Sequence, residues 1–219
     1  LYVNIVLPIG ALLLWNTIGN QRNYIVHTAE KRMRLKNYDW TFASALAPEI
    51  CKEIIDHGLS QSPKRATTSG GVISDKRDSD VVWLYDPWLF DYILPFVERA
   101  NREAGWNFQW DPVHMLQFTK YGPGQFYNWH RDTSIRQPDS EGKIRKISVT
   151  VNLNDDYEGG EFYIDAENHY GKTSPRLNEN LKLPGSIAVF PADIWHKVDP
   201  VTKGIRYSLV VWLTGDPFK

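Results

Sequence analysis

Two histidines and one aspartate in this chain are of the right types to share a metal ion: His130, Asp132 and, far along the sequence, His196. In an extended chain residues i and i+2 point to the same face, so His130 and Asp132 can reach one ion together. A third donor is still needed, and Asp193-Ile-Trp-His196 supplies it. Two imidazoles and a carboxylate on one face of an octahedron leave the opposite positions open. That is the donor set of Fe(II) sites that take up a cosubstrate and O₂. Zinc is the rival ion, because two His and a carboxylate also suit catalytic zinc. His27, His57, His114 and His169 have no comparable partners and read as structural or surface residues.

A His-x-Asp pair alone is weak, since such pairs recur by chance at strand ends. Arg206, ten residues after His196, strengthens it. A strand, a turn and a second strand over that distance would return the chain beside its start, with the guanidinium facing the metal cavity. A buried guanidinium is a planar fork that matches a carboxylate in two places. 2-Oxoglutarate could then chelate iron with its 2-oxo acid end and set its distal carboxylate on Arg206. Two other classes compete. A cupin-like module could bind a metal or ligand without turnover, but it has no use for a carboxylate clamp behind the metal. A zinc hydrolase needs a general base beside the bound water, for which Glu161 is the sequence candidate.

These groups need a scaffold. Pro48–Leu59 reads as a helix with Ile50, Ile54, Ile55 and Leu59 on one face, Pro48 in its first turn and Gly58 near its stop. Asp86 as N-cap, Pro87 at the first helical position and Gly105 as terminator mark a second helix, which Pro95 should kink. Its apolar stripe is Leu89, Ile93, Phe96, Val97 and Ala100. After Val113 short runs of β-branched and aromatic residues alternate with Gly, Pro, Asn and Asp. The runs are His114–Tyr121, Gln125–His130, Lys146–Leu153, Glu161–Asp165, Leu181–Leu183, Ser186–Phe190 and Arg206–Leu213. Close-spaced short strands indicate a sandwich or barrel, here a jelly roll preceded by two helices. Gly159-Gly160 reads as a tight hairpin and Pro184-Gly185 as a turn. Thr67–Asp80, Thr133–Arg145 and Ala166–Asn180 read as long loops suited to lids or ligand contacts.

The 219 residues carry a formal net charge of −1, so no global basic field draws in nucleic acid, and none is expected as a partner. With one cysteine, Cys51, an intrachain disulfide and a cysteine metal cluster are excluded; this fits a reducing compartment, and a cytoplasmic location is expected. Residues Val3–Trp15 are nearly all apolar but interrupted by Pro8 and Gly10, and shorter than the roughly 20 residues a spanning helix needs. Residues 1–39 are therefore set apart as a segment of open role, read first as a packed segment or strand and second as a signal-like or membrane-anchoring one, and 40–219 as one domain.

The ordered set Arg77–Leu84 (RDSDVVWL), Gln117–Gly122 (QFTKYG), Tyr127–Asp132 (YNWHRD), Tyr157–Phe162 (YEGGEF), Leu183–Pro191 (LPGSIAVFP) and His196–Trp212 resembles the prolyl 4-hydroxylase-like 2-oxoglutarate/Fe(II) oxygenases, especially the PKHD-type hydroxylases. The resemblance spans about two-thirds of the chain. It implies a mainly β fold with flanking helices, the double-stranded β-helix or cupin-like jelly roll. It implies Fe(II) on His130, Asp132 and His196, 2-oxoglutarate on Arg206 and Tyr121, and ascorbate as an optional extra. Asn152 falls where some relatives carry a Tyr that contacts the distal carboxylate, and its shorter side chain puts that contact in question. Ser208 could add a hydroxyl to the same carboxylate. Arg77 and Trp129 are substrate-side candidates, and Trp212 is expected in the core. The implied activity is hydroxylation of a C–H bond, with succinate and CO₂ released, on a prolyl or other amino-acid residue in a peptide, or on a small molecule.

Overall fold

The computed structural model describes residue 35 and residues 37–62, 64–66, 76–133, 138–166 and 174–218. The apolar segment Val3–Trp15 and His27 lie outside them, as do His169, most of the first expected loop and parts of the other two. Lys36–Lys219 clusters as one compact unit. Its strands are β1 (Trp40–Phe42), β2 (Lys64–Arg65), β3 (Arg77–Asp78), β4 (Asp80–Leu84), β5 (Leu116–Tyr121), β6 (Phe126–His130), β7 (Ile144–Asn152), β8 (Tyr157–Gly159), β9 (Phe162–Asp165), β10 (Arg176–Leu177), β11 (Ile187–Pro191), β12 (Trp195–Val198), β13 (Val201–Gly204) and β14 (Arg206–Gly215). The helices are α1 (Pro48–Ser60) and α2 (Pro87–Glu103).

The strands form a seven-stranded sheet, β1-β11-β7-β14-β5-β4-β2, a five-stranded sheet, β10-β9-β12-β6-β3, and the pair β13-β8. Every pairing is antiparallel. This is the expected jelly roll, a double-stranded β-helix with helices at its flank. β7 and β5 are buried along nearly their whole length, so both faces of the large sheet are covered. On β7 the apolar Ile147, Val149 and Val151 alternate with Ser148, Thr150 and Asn152, all of them buried. A buried polar row on a strand needs partners inside the barrel, and those partners are the site described below.

Several local expectations change. In α1 the buried face is Cys51, Ile54 and Gly58, while Leu59 is half exposed. Gly58 therefore serves packing and not termination. A Cβ placed on it would lie 2.6 Å from ring atoms of Phe118, so the bare backbone is what lets α1 rest on β5. Gly58→Ala gains about 1 kcal/mol of helix propensity but forces the buried Phe118 ring aside, at roughly 1–3 kcal/mol. Net destabilisation is expected, read as a lower urea midpoint with an unchanged slope; an unchanged or higher midpoint would show that the contact relaxes freely. Asp86 stands at the N-cap position of α2, but its side chain makes no cap bond; Oδ2 meets His57 Nε2 at 2.9 Å. α2 runs on through Pro95, which lies on its exposed side.

Gly159-Gly160 is not a hairpin. β8 pairs with β13 and β9 pairs with β12, so the two glycines turn the chain from one pairing into another. Both have positive φ, 74° and 66°, and a Cβ on Gly159 would come within 2.4 Å of the Pro200 carbonyl oxygen. Leu181–Leu183 is not a strand either. Asn178 accepts a hydrogen bond from the Leu181 amide and starts a 3₁₀ turn over Glu179–Lys182. His196 and Arg206 do not sit on paired strands: β12 belongs to the small sheet and β14 to the large one.

Candidate metal centre

β6 and β12 pair with His196 opposite His130, which puts the two imidazoles side by side with ring centroids 4.1 Å apart. Asp132 follows just beyond β6, where its amide donates to the Ala192 carbonyl at the end of β11. The carboxylate lies 3.6 Å from His130 Nε2 through Oδ1 and 3.5 Å from His196 Nε2 through Oδ2. One ligand atom from each residue falls within 4.8 Å of the others, so the three could hold a metal ion; among the described residues they form the one such group.

Neighbouring groups fix each donor. His130 Nδ1 contacts the Asn128 carbonyl at 2.7 Å and His196 Nδ1 the Ile194 carbonyl at 2.9 Å. A carbonyl only accepts, so each Nδ1 carries the proton and each Nε2 offers its lone pair to the centre. Ser148 Oγ donates to Asp132 Oδ2 at 2.6 Å, which orients the carboxylate. Such outer partners set ligand geometry and basicity. The donor set therefore fits Fe(II).

Charge and burial act in opposite ways on the two titrating ligands. Burial, helped by the neighbouring His196, lowers His130 to about 3. Burial alone would raise the Asp132 carboxyl, but His196, His130 and the Ser148 hydroxyl outweigh it and hold the group at about 2. Both folded values lie below the unfolded ones, so between them the unfolded chain binds the extra proton and acid favours unfolding. For His130 the affected window runs from pH 6.5 down to about 3. Metal-free protein is expected to be about 2 kcal/mol less stable at pH 5 than at pH 7 through this group. The loss should be missing in His130→Asn. Equal slopes for the two proteins in denaturant titrations across that range would show that His130 protonates freely in the fold.

Behind the three residues lies a cavity of about 30 Å³ lined by Arg77, Tyr121, Tyr127, Thr150, Arg206 and Ser208 among others. Arg206 is 2% exposed. Its Nη1 donates to Ser208 Oγ at 3.2 Å, its guanidinium lies 5.6 Å from the Tyr121 ring centre, and its Nε has no hydrogen-bond partner. No acidic side chain pairs with it among the described residues. A buried cation left this way is costly unless an anion joins it.

The remaining expected residues divide. Arg77, also buried, donates from Nε to Ser79 Oγ at 2.9 Å and covers the Tyr127 ring at 4.6 Å. Asn152 is tied into the fold: its amide donates to the Asn154 and Lys182 carbonyls and its oxygen accepts from the Tyr157 hydroxyl. No free donor is left on it for a carboxylate. Trp129 does not line the cavity; Lys197 Nζ lies over its ring at 5.4 Å on β12. Glu161 lines a different cavity and faces Lys182 at 3.8 Å, so the zinc-hydrolase reading loses its base. Residues not expected here are Ser148, Gln117, Tyr127 and Trp212. The Trp212 indole lines the cavity under the Arg145 guanidinium, with its N–H buried and unpaired.

The structure thus joins a double-stranded β-helix to two His and one carboxylate at the mouth of a cavity that holds a buried Arg. Residues 116–214 match the family model of the 2OG-Fe(II) oxygenase superfamily. A PKHD-type hydroxylase of Klebsiella pneumoniae is 39% identical over 100 residues, covering 44% of this chain and 41% of that protein. One from Picosynechococcus is 36% identical over 104 residues, covering 46% and 42%. The matched region thus spans about two-fifths of the length of these relatives. Among solved structures, the prolyl hydroxylase of Trichoplax adhaerens in complex with a hypoxia inducible factor peptide fragment has a TM-score of 0.65 at 17% identity, covering 81% of this chain and 84% of that one. A viral collagen prolyl hydroxylase from Paramecium Bursaria Chlorella virus-1 has 0.61 at 18%, covering 82% and 97%. At these identities the structures speak for the fold. No helix among the described residues is long and apolar enough to cross a membrane.

Proposed function

We propose that this chain is a 2-oxoglutarate- and Fe(II)-dependent hydroxylase acting on a C–H bond of a prolyl or other amino-acid residue within a polypeptide. The observation that carries this reading is Arg206, a buried guanidinium without an acidic partner on the wall of the cavity that His130, Asp132 and His196 also line. His130, Asp132 and His196 would hold the iron through two Nε2 atoms and a carboxylate. When bound, iron and 2-oxoglutarate supply the oxygen chemistry that hydroxylates the substrate and releases succinate and CO₂.

The protein's own part is placement. Ser148 keeps the Asp132 carboxylate turned to the centre, and the Asn128 and Ile194 carbonyls hold the imidazoles in the ligating tautomer. Arg206 and Ser208 take the distal carboxylate of the cosubstrate, with the Tyr121 ring beside them. Phe162, Phe190, Val198 and Val210 wall the cavity with apolar surface and exclude water. Arg77 stands on the substrate side of Tyr127.

A polypeptide is favoured over a free amino acid by the surface outside the cavity. Trp83 lies 5.9 Å from Trp212 and is 41% exposed. Tyr85 and Met115 follow just past the Leu84–Leu116 pair, and both are exposed large apolar groups. This ledge fits an extended segment, and aromatic grooves of this sort hold proline-rich chain well. The single buried Cys51 supports a reducing, cytoplasmic setting. The test is anaerobic loading with Fe(II) and 2-oxoglutarate, then a succinate assay against panels of peptides and free amino acids. Substrate-dependent succinate from peptides is expected. Turnover of free amino acids alone would reverse the substrate assignment, and zinc-dependent hydrolysis with no succinate would sink the reading.

A further inference from the structure

We propose that the cavity on the far side of Arg206 is a second port, through which a small dicarboxylate reaches and leaves the cosubstrate site without passing the mouth beside the metal ligands. This rests on the assignment of Arg206 to the distal carboxylate of 2-oxoglutarate. The far cavity, about 140 Å³, is larger than the one at the metal ligands. Phe162 and Arg206 are the two residues that line both, so the partition between them is built from these two side chains.

The walls suit a passage. Tyr157, Leu177 and Leu181 line it with apolar surface, and Gly159-Gly160 adds bare backbone. A Cβ on Gly160 would lie 3.1 Å from Arg206 Cδ, so glycine there leaves the Arg206 stem its place beside the cavity. Asn178 is spent on the Leu181 amide and on Thr41, and it offers no trap for a passing carboxylate. At the rim stand Glu161, Glu179 and Lys182. Lys182 and Glu161 form a 3.8 Å pair at this rim, with both side chains partly in solvent. These three rim side chains carry a net charge of −1, and the pull on an anion comes from Arg206, deeper in. Phe162 touches the His196 and Phe190 rings at 5.8 and 5.9 Å, so the partition's other half is a single aromatic ring whose rotation would join the cavities. Motions of that type run faster than the release steps that set many turnover rates.

A port makes a kinetic prediction that a binding site does not. Obstructing a path raises the barrier equally in both directions, so association and dissociation slow together and Kd stays the same. Leu177→Trp fills the port and Glu161→Ala removes its latch. Iron-loaded protein is mixed rapidly with 2-oxoglutarate without oxygen, and the visible absorption of the iron chelate is followed; dissociation is read by displacement with excess cosubstrate analogue. Both rates are expected to fall about tenfold in Leu177→Trp and to rise in Glu161→Ala, with Kd within about twofold of wild type in each. If Leu177→Trp fails to fold, Glu161→Ala decides alone. Wild-type rates in both variants would overturn the port, as would a changed Kd carried by one rate only. Wild-type protein that takes up iron but no 2-oxoglutarate overturns the cosubstrate assignment as well, and this shows before any variant is made.

Discussion

Arg206→Met is expected to give a protein that unfolds at a higher denaturant concentration than wild type and no longer binds 2-oxoglutarate. The two effects come from one cause. Arg206 is fully buried, with a single long hydrogen bond to Ser208 and an unpartnered Nε, so in the free protein its charge is paid for by other parts of the fold. Replacing buried charge by an apolar side chain of similar length is often neutral or stabilising, by about 1–4 kcal/mol. The same change removes the fork that would meet the distal carboxylate. Losing one partner of a desolvated charge pair costs roughly 2–5 kcal/mol, so affinity for 2-oxoglutarate should drop at least about thirtyfold. Metal affinity should hold, because Arg206 touches none of the three candidate ligands directly. Calorimetric titration with iron and then with 2-oxoglutarate, beside a urea melt, separates these outcomes. A less stable variant that binds both as before would make Arg206 a structural residue.

The parts legible in the sequence were those carried by residue identity. His130, Asp132 and His196 were readable because few side chains ligate metals, and Arg206 because it stands ten residues past His196 and its fork matches a carboxylate. What escaped was set by pairing. From alternation along β6, Tyr127 should face away from His130. Yet the register puts His196 opposite His130 and Val198 opposite Tyr127, so β6 carries one extra residue there. That bulge turns Tyr127 to the His130 side, where the rings stack at 3.4 Å, and leaves Trp129 on the other face. Ser148 was one polar residue of a row, and which face of β7 turned inward depended on the distant loop that carries Asp132. Gly159-Gly160 showed the conformation it needed but not its strand partners, since a turn code is local and β8 (Tyr157–Gly159) pairs with the distant β13 (Val201–Gly204). The strands Lys64–Arg65, Arg77–Asp78 and Arg176–Leu177 are two residues long and lack an apolar pattern, so they exist through their neighbours.

Asp132→Ala and Ser148→Ala should form a graded pair at the metal centre. Asp132 is the sole carboxylate of the group and the only member that brings negative charge to the ion. Its loss leaves two neutral imidazoles, and Fe(II) affinity is expected to fall by well over 100-fold, with oxygenase activity gone. Ser148→Ala keeps all three donors but frees Asp132 Oδ2 from its 2.6 Å hydrogen bond. Outer partners of this kind are worth roughly 10–100-fold in affinity or activity, so an intermediate loss is expected. Ser148→Thr, which retains the hydroxyl, should recover part of it. The carboxylate itself would also answer to acid differently, because the Ser148 bond is one of the groups holding it at about 2. In the metal-free Ser148→Ala protein the Asp132 carboxyl should titrate higher than in wild type, a shift readable by carbon-13 resonance of the labelled side chain. Equal iron affinities for wild type and Ser148→Ala, with no change in that titration, would show that Asp132 is oriented by its backbone bond to Ala192 and not by the serine.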